Sequence, residues 1–164
     1  MQYALLYIFT VVLVNYSFDI VPLLSLPGGE MWSPVSLVVG FVFVIRDYAQ
    51  RAVGHYVLAA MFAAGAASWF LASPETAVAS LCAFMAGELL DWSVYTFTGK
   101  PFSQRVLLSS AIGTPFDSAI FLGMLGIFSI PGVLIMTASK MFGATIVFFL
   151  IRRRENAQAQ GVFQ

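Results

Sequence analysis

Charge is scarce in this sequence: only 10% of its 164 residues are Asp, Glu, Lys or Arg, against about 25% in a soluble domain. A water-soluble globule is therefore set aside. The eight basic and eight acidic residues cancel, which leaves no positive footprint for gripping nucleic acid. Cysteine is nearly absent too: Cys82 stands alone in an apolar run, so the sequence offers neither an internal disulfide nor a cysteine-rich metal site. Cys82 reads as packing. The single histidine, His55, makes no metal site by itself, and no serine and histidine arrangement surrounds it. The sequence calls for no metal and no cofactor.

What the chain has in abundance is apolar surface, 60% of its residues, with 15% aromatic and a mean hydropathy of +0.88. These residues fall into blocks of about 20, the length at which a helix rising 1.5 Å per residue spans a hydrocarbon core. Six blocks stand out: Tyr3 to Phe18, Pro34 to Val53, His55 to Ala72, Pro74 to Phe97, Gln104 to Phe128 and Pro131 to Ile151. Breakers mark the joints, among them Pro22, Pro27, Gly28, Gly29, Gly54, Pro74, Gly99, Pro101, Pro131 and Gly132. The expected fold is all-α, a polytopic membrane protein whose six transmembrane helices form one compact bundle over residues 1–154. Residues 155–164 read as a free polar tail. A homo-oligomer is compatible with this plan. The first block lacks a basic leader and a following small-x-small pattern, so it reads as a mature helix rather than a cleaved signal.

Orientation follows from the basic residues, which gather in short cytoplasmic loops. Threading six spans from an inner N-terminus places Arg46, Arg51, Lys100, Arg105, Arg152, Arg153 and Arg154 on the inner side, with Lys140 inside a span. The opposite loops hold Asp19, Glu30 and Glu75 and no base. Both termini are expected in the cytoplasm.

The spans keep seven ionisable residues: Arg46, Asp47, Arg51, Glu88, Asp91, Asp117 and Lys140. Each charge at depth costs roughly 2.5 to 3.5 kcal/mol, so an unpaired set would cost on the order of 20 kcal/mol. Pairing across the bundle interior is the cheapest resolution. Spacing supports it, since Asp47 and Arg51 are four apart and Glu88 and Asp91 three apart, each pair on one helix face. Trp92 falls away from the end of its span and could face this cluster. In the fifth span, Gly113, Thr114 and Pro115 precede Asp117, and a proline at depth frees a carbonyl that protein or a cavity must satisfy. Interrupted helices are where transporters place substrates, which marks Asp117 as a site candidate.

Several of these features have plainer readings. The group Arg46, Asp47 and Arg51 could be an anchor that snorkels to the interface, and the buried charges could be structural salt bridges. His55 opens the third span and reads as interfacial. Ala59, Ala63 and Ala67, with Ala60 and Ala64, have the small-xxx-small spacing that lets helices approach closely. Trp32, Trp69 and several tyrosines fit interfacial belts.

The segments FVFVIRDYAQRAVGH (Phe41 to His55), GELLDWSVYTF (Gly87 to Phe97), SSAIGTPFDSAIF (Ser109 to Phe121) and SKMFG (from Ser139) resemble the queuosine precursor transporters, also grouped as vitamin uptake transporters. The order of these segments and the spacing of Asp47, Arg51 and Gly54 carry the resemblance. It implies a bacterial inner-membrane protein that imports 7-deazaguanine precursors of queuosine, with a bundle similar to the substrate-binding subunits of energy-coupled vitamin transporters.

Beside that resemblance, a guanine-like edge offers a ring N–H and an amine to one carboxylate. Glu88, Asp91 and Asp117 are the candidate acceptors, with Glu88 and Asp117 favoured. Lys140 would donate to the purine carbonyl, and Phe43 or Trp92, or Phe116, would supply a stacking face worth about 1 to 3 kcal/mol. Asp47 with Arg51 is expected to form an inner gate pair. The alternatives are a binding subunit that needs a separate energising partner, and an intramembrane aspartyl enzyme using Asp91 and Asp117. The first helix lacks the small-residue docking stripe such subunits tend to show, and the usual glycine pattern ahead of the second aspartate is missing, so a self-sufficient carrier that is not an enzyme is the favoured reading.

Overall fold

A computed structural model describes residues 2–71 and 74–161. Six α-helices run in chain order: α1 (Gln2–Ile20), α2 (Ser36–Val53), α3 (Val57–Leu71), α4 (Pro74–Phe97), α5 (Phe102–Met124) and α6 (Ile130–Gly161). The expected blocks and these helices agree to within about four residues, except that α6 runs ten residues past the expected end at Ile151. Ala72, the expected end of the third block, and positions 162–164 lie outside the described residues.

The joints show why the helices stop where they do. Gly54 follows α2 at φ +61°, a left-handed conformation that a side chain would resist, and its N–H returns to the Gln50 carbonyl. A short 3₁₀ turn, Gly54–Tyr56, then reverses the chain into α3. Ser129 caps α6, its Oγ accepting the Gly132 N–H at 3.0 Å, which satisfies one of the free donors at a helix start. Between α1 and α2 the glycine- and proline-rich joint folds into a hairpin of two short antiparallel strands, β1 (Leu24–Ser25) and β2 (Met31–Trp32).

Packing partners set the helices in a closed ring. Helix α1 lies against α2, α2 against α6, α6 against α5, α5 against α4, α4 against α3, and α3 returns to α1. Without water to drive helices together, close van der Waals approach holds such a ring. Gly40 of α2 presses on α6, where an added Cβ would fall 1.9 Å from the Lys140 carbonyl oxygen. Gly87 of α4 meets α5 in the same way, with an added Cβ 2.7 Å from the Asp117 Cβ. On α3, Ala60 and Ala64 are buried, while Ala59 and Ala63 face outward. Only one of the two alanine rows is therefore a packing seam.

Large apolar side chains cover the outside of the ring, Phe9, Phe70, Leu134 and Phe149 among them, an exposure that suits lipid and not water. Among the described residues, four stretches are long and apolar enough to cross a membrane: Gln2–Ile20, Ser36–Phe70, Phe102–Met124 and Ile130–Gln158. The 35-residue stretch Ser36–Phe70 contains both α2 and α3, which fold back so that each packs along α1. Helix α4 is not among the four. Its Glu88 and Asp91 lower its mean hydropathy.

Three expectations change. Cys82 is exposed on the outer surface rather than packed inside. Helix α5 runs without a break from Phe102 to Met124 with Pro115 inside it, so the fifth span is not interrupted. The polar segment after Arg154 continues α6 as helix to Gly161, and Glu155 is docked: the Ser103 N–H and hydroxyl donate to its two carboxylate oxygens at 3.2 and 2.6 Å. A carboxylate on the open donors of the first turn of α5 is a favourable helix-end contact, which explains why this part of the tail is not free.

Candidate functional site

Two buried ionic groups occupy the interior of the ring, and Glu88 belongs to the edge of both. In the first, Arg46 of α2 is the only cation, and three carboxylates surround it. Its Nη1 donates to Asp47 Oδ1 at 2.7 Å and to Asp91 Oδ2 at 2.5 Å, and its Nε lies 3.3 Å from Glu88 Oε2. The forked guanidinium suits this task because it serves several acceptors in one plane. Tyr7 of α1 donates to Glu88 Oε2 at 2.9 Å, and Ser109 of α5 donates to Asp47 Oδ2 at 3.3 Å. Arg46 is only 1% exposed, Asp47 and Asp91 0%.

The second group joins α5 to α6. Lys140 Nζ donates to Asp117 Oδ2 and, at 2.9 Å, to Ser118 Oγ. The Gly87 and Gly40 contacts explain the placement, since they bring the backbones that carry Asp117 and Lys140 close to α4 and α2.

Between the groups lies a small chamber. Phe43, Glu88, Asp117 and Lys140 line it, with Asn15 and Phe121 on the wall. Glu88 is held by one oxygen only; its Oε1 is buried and has no hydrogen-bond partner among the described residues. A buried acceptor left unmade costs about 1 to 3 kcal/mol, more when charged, so this oxygen is an open demand for a donor. The space open to the centre of a water molecule is about 30 Å³, room for roughly two waters at about 10 to 15 Å³ each. A bicyclic guest requires the helices to part.

The structure brings together Glu88, Asp117, Lys140 and Phe43 and leaves other expected residues elsewhere. Asp91 does not line the chamber; it is committed to Arg46. Trp92 points away, its indole N–H donating to His55 Nδ1 at 3.3 Å. Phe116 is 54% exposed on the outside of α5, so it cannot stack on anything inside. The expected Asp47–Arg51 pair does not form. Arg51 is exposed at the helix end with its guanidinium 4.7 Å from the centre of the Phe102 ring, and Asp47 takes Arg46 instead. Arg46 is accordingly no snorkelling anchor. Asp91 and Asp117, the dyad an aspartyl enzyme would need, answer to different cations.

Sequence reasoning passed over Tyr7 and Asn15, both buried on α1. Their spacing was the available signal: Tyr7, Val11 and Asn15 are four apart and make one inward stripe on a helix otherwise apolar all round.

An all-α ring with lipid-facing apolar walls and buried charges reaching an interior chamber is the build of a membrane protein, and charges held inside such a bundle mark a functional site. The family model described as "Putative vitamin uptake transporter" matches residues 3–152. The chain belongs to that vitamin uptake transporter family. No curated protein and no solved structure shows a significant match.

Proposed function

We propose that the chain imports a small planar heterocycle, a 7-deazaguanine precursor of queuosine, through a six-span bundle in the bacterial inner membrane with both termini in the cytoplasm. The observation that carries this reading is the unpartnered Oε1 of Glu88 in a chamber it shares with the Asp117–Lys140 pair. A carboxylate accepts a ring N–H and an exocyclic amine side by side, and an ammonium donates to a carbonyl. Those are the groups a deazaguanine presents along one edge. Phe43, buried on the same wall, offers a ring face for stacking, worth about 1 to 3 kcal/mol per base.

The chamber's small volume supports a carrier caught between its two open states, in which a site near mid-membrane is reached alternately from each side. Six of the eight basic residues, Arg51, Lys100, Arg105 and Arg152 to Arg154, sit at helix ends or joints consistent with one inner face. Arg46 leaves that count because it is buried.

The test is uptake by cells that cannot make queuosine precursors but can complete the modified base. Wild type should restore the base to tRNA, and Glu88→Ala, Asp117→Ala and Lys140→Ala should each fail at normal membrane levels. Rescue by all three variants would remove the assigned site; no rescue by well-expressed wild type would remove the substrate.

A further inference from the structure

The basic end of the ring carries a surplus of charge that solute binding in the chamber does not use. Arg51, Lys100, Arg105 and Arg152 to Arg154 gather there. Among the described residues, Glu155 is the only acidic side chain at that end outside the buried groups, and it is already docked on Ser103. A hollow opens here between the last turns of α2 and α4 and the first turn of α5. Its space open to the centre of a water molecule is about 320 Å³, in the range of about 300 to 1,000 Å³ typical of small-molecule sites. A guest therefore enters with no parting of the helices.

The hollow is rich in donors. Arg51 and Arg105 line it, each steadied by a ring and not by a carboxylate: the guanidiniums lie 4.7 Å from the Phe102 centre and 5.3 Å from the Tyr95 centre. Neither makes an ion pair among the described residues. Arg105 gives its Nε hydrogen to the Lys100 carbonyl at 2.5 Å, which leaves its two terminal nitrogens for a guest. Gln50 Nε2 donates to Thr96 Oγ1 at 2.9 Å, so the Thr96 hydroxyl keeps its own hydrogen to give. His55 Nδ1 accepts the Trp92 N–H, which puts the hydrogen of a neutral ring on Nε2. Against these donors stands one unmet acceptor. Gln50 is only 6% exposed, and its Oε1 is buried with no hydrogen-bond partner among the described residues.

We propose that this hollow binds the headgroup of an anionic phospholipid, with the phosphate between Arg51 and Arg105 and a headgroup hydroxyl on Gln50 Oε1. The planar guanidinium fork matches two phosphate oxygens at once, and a glycerol headgroup supplies the hydroxyl. Tyr56, next to His55, is 80% exposed, and Phe97, next to Thr96, is 78% exposed. Rings bared in this way belong at a lipid interface, which favours a phosphate held in the bilayer over a soluble one. Basic pockets between helix ends are where anionic headgroups settle. The bound lipid bridges α2, α4 and α5 at their basic ends, and the site is independent of which solute the chamber carries.

Native mass spectrometry of the full chain in detergent tests this with dioleoyl phosphatidylglycerol, dioleoyl phosphatidylcholine and glycerol 3-phosphate as probes. Wild type should retain phosphatidylglycerol more tightly than phosphatidylcholine, whose headgroup has neither net charge nor a hydroxyl, and should retain glycerol 3-phosphate least. Arg51→Gln and Arg105→Gln should each weaken phosphatidylglycerol binding about tenfold or more, the usual worth of a hydrogen bond to a charged group. The pair Arg152→Gln with Arg153→Gln removes as much charge from the same end but lies outside the hollow, and should leave binding near the wild-type value. Thermal unfolding without lipid checks that all variants are folded. Equal loss in both sets of variants, or equal retention of the two lipids, overturns the site. Glycerol 3-phosphate held as tightly as phosphatidylglycerol overturns the lipid as its occupant.

Discussion

Gly40→Ala is the sharpest test of how α2 and α6 hold the chamber together. The new Cβ would fall 1.9 Å from the Lys140 carbonyl oxygen and 2.8 Å from its carbonyl carbon. An ordinary carbon–oxygen contact needs about 3.3 Å, so the two helices must part by roughly 1.4 Å. The obstacle is backbone, not a flexible side-chain tip, and cannot swing aside. Alanine favours a helix over glycine by about 1 kcal/mol, while overpacking a tight contact costs about 1 to 3 kcal/mol or more. The clash should win, lowering the melting temperature in detergent by several degrees, at about 2 to 4 °C per kcal/mol for a chain of this size. Substrate uptake should fall further than stability does, because the displaced backbone is the one that carries Lys140. Gly123→Ala is the control, since no atom of the described residues lies within 4 Å of its added Cβ; it should be neutral or mildly stabilising. A Gly40→Ala protein that melts and transports like wild type would refute the close α2–α6 contact.

Lys140→Met should destabilise by about 3 to 5 kcal/mol, because it leaves Asp117 buried and alone. Adding Asp117→Asn should recover most of that loss in thermal unfolding without recovering uptake; additive losses would mean the two residues do not answer each other. Arg46→Met should cost at least as much, and Arg46→Lys should repair it only in part, since an ammonium lacks the fork that reaches three carboxylates. Full recovery with lysine, read by unfolding, would contradict the shared-donor geometry. Arg51→Ala should shift stability by only about 0.5 to 1 kcal/mol, the worth of an exposed cation over a ring; a loss of several kcal/mol would point to a buried partner.

The helices were legible because membrane spans leave a coarse record: long apolar runs ended by glycine or proline. Gly54 and the Gly99–Pro101 joint mark the ends of α2 and α4 almost to the residue. The identity of the interior residues was legible for a similar reason, since charge is so costly at depth that Glu88, Asp117 and Lys140 had to find company inside. Their pairing was not. Periodicity along one helix suggested Asp47 with Arg51, four apart, yet Asp47 takes the neighbouring Arg46, which also reaches Asp91 across 45 positions of sequence. Spacing rules describe faces of single helices, while the ring order that places α4 beside α5 and α6 beside α2 arises from glycine contacts between helices. The polar hydroxyl of Tyr7 was hidden by the same limit, because a tyrosine suits an interface as well as a core.

Helix α6 continues as one piece from Ile130 to Gly161, a rod of about 48 Å at 1.5 Å per residue. The portion beyond Ile151 protrudes by about 15 Å, so any tilt of this helix during a transport cycle is magnified at its far tip, as with a pointer on a dial. The Glu155 clasp onto Ser103 would transmit the same swing to the start of α5. A distance reporter placed near residue 158 would therefore register rocking that is too slight to see from within the bilayer.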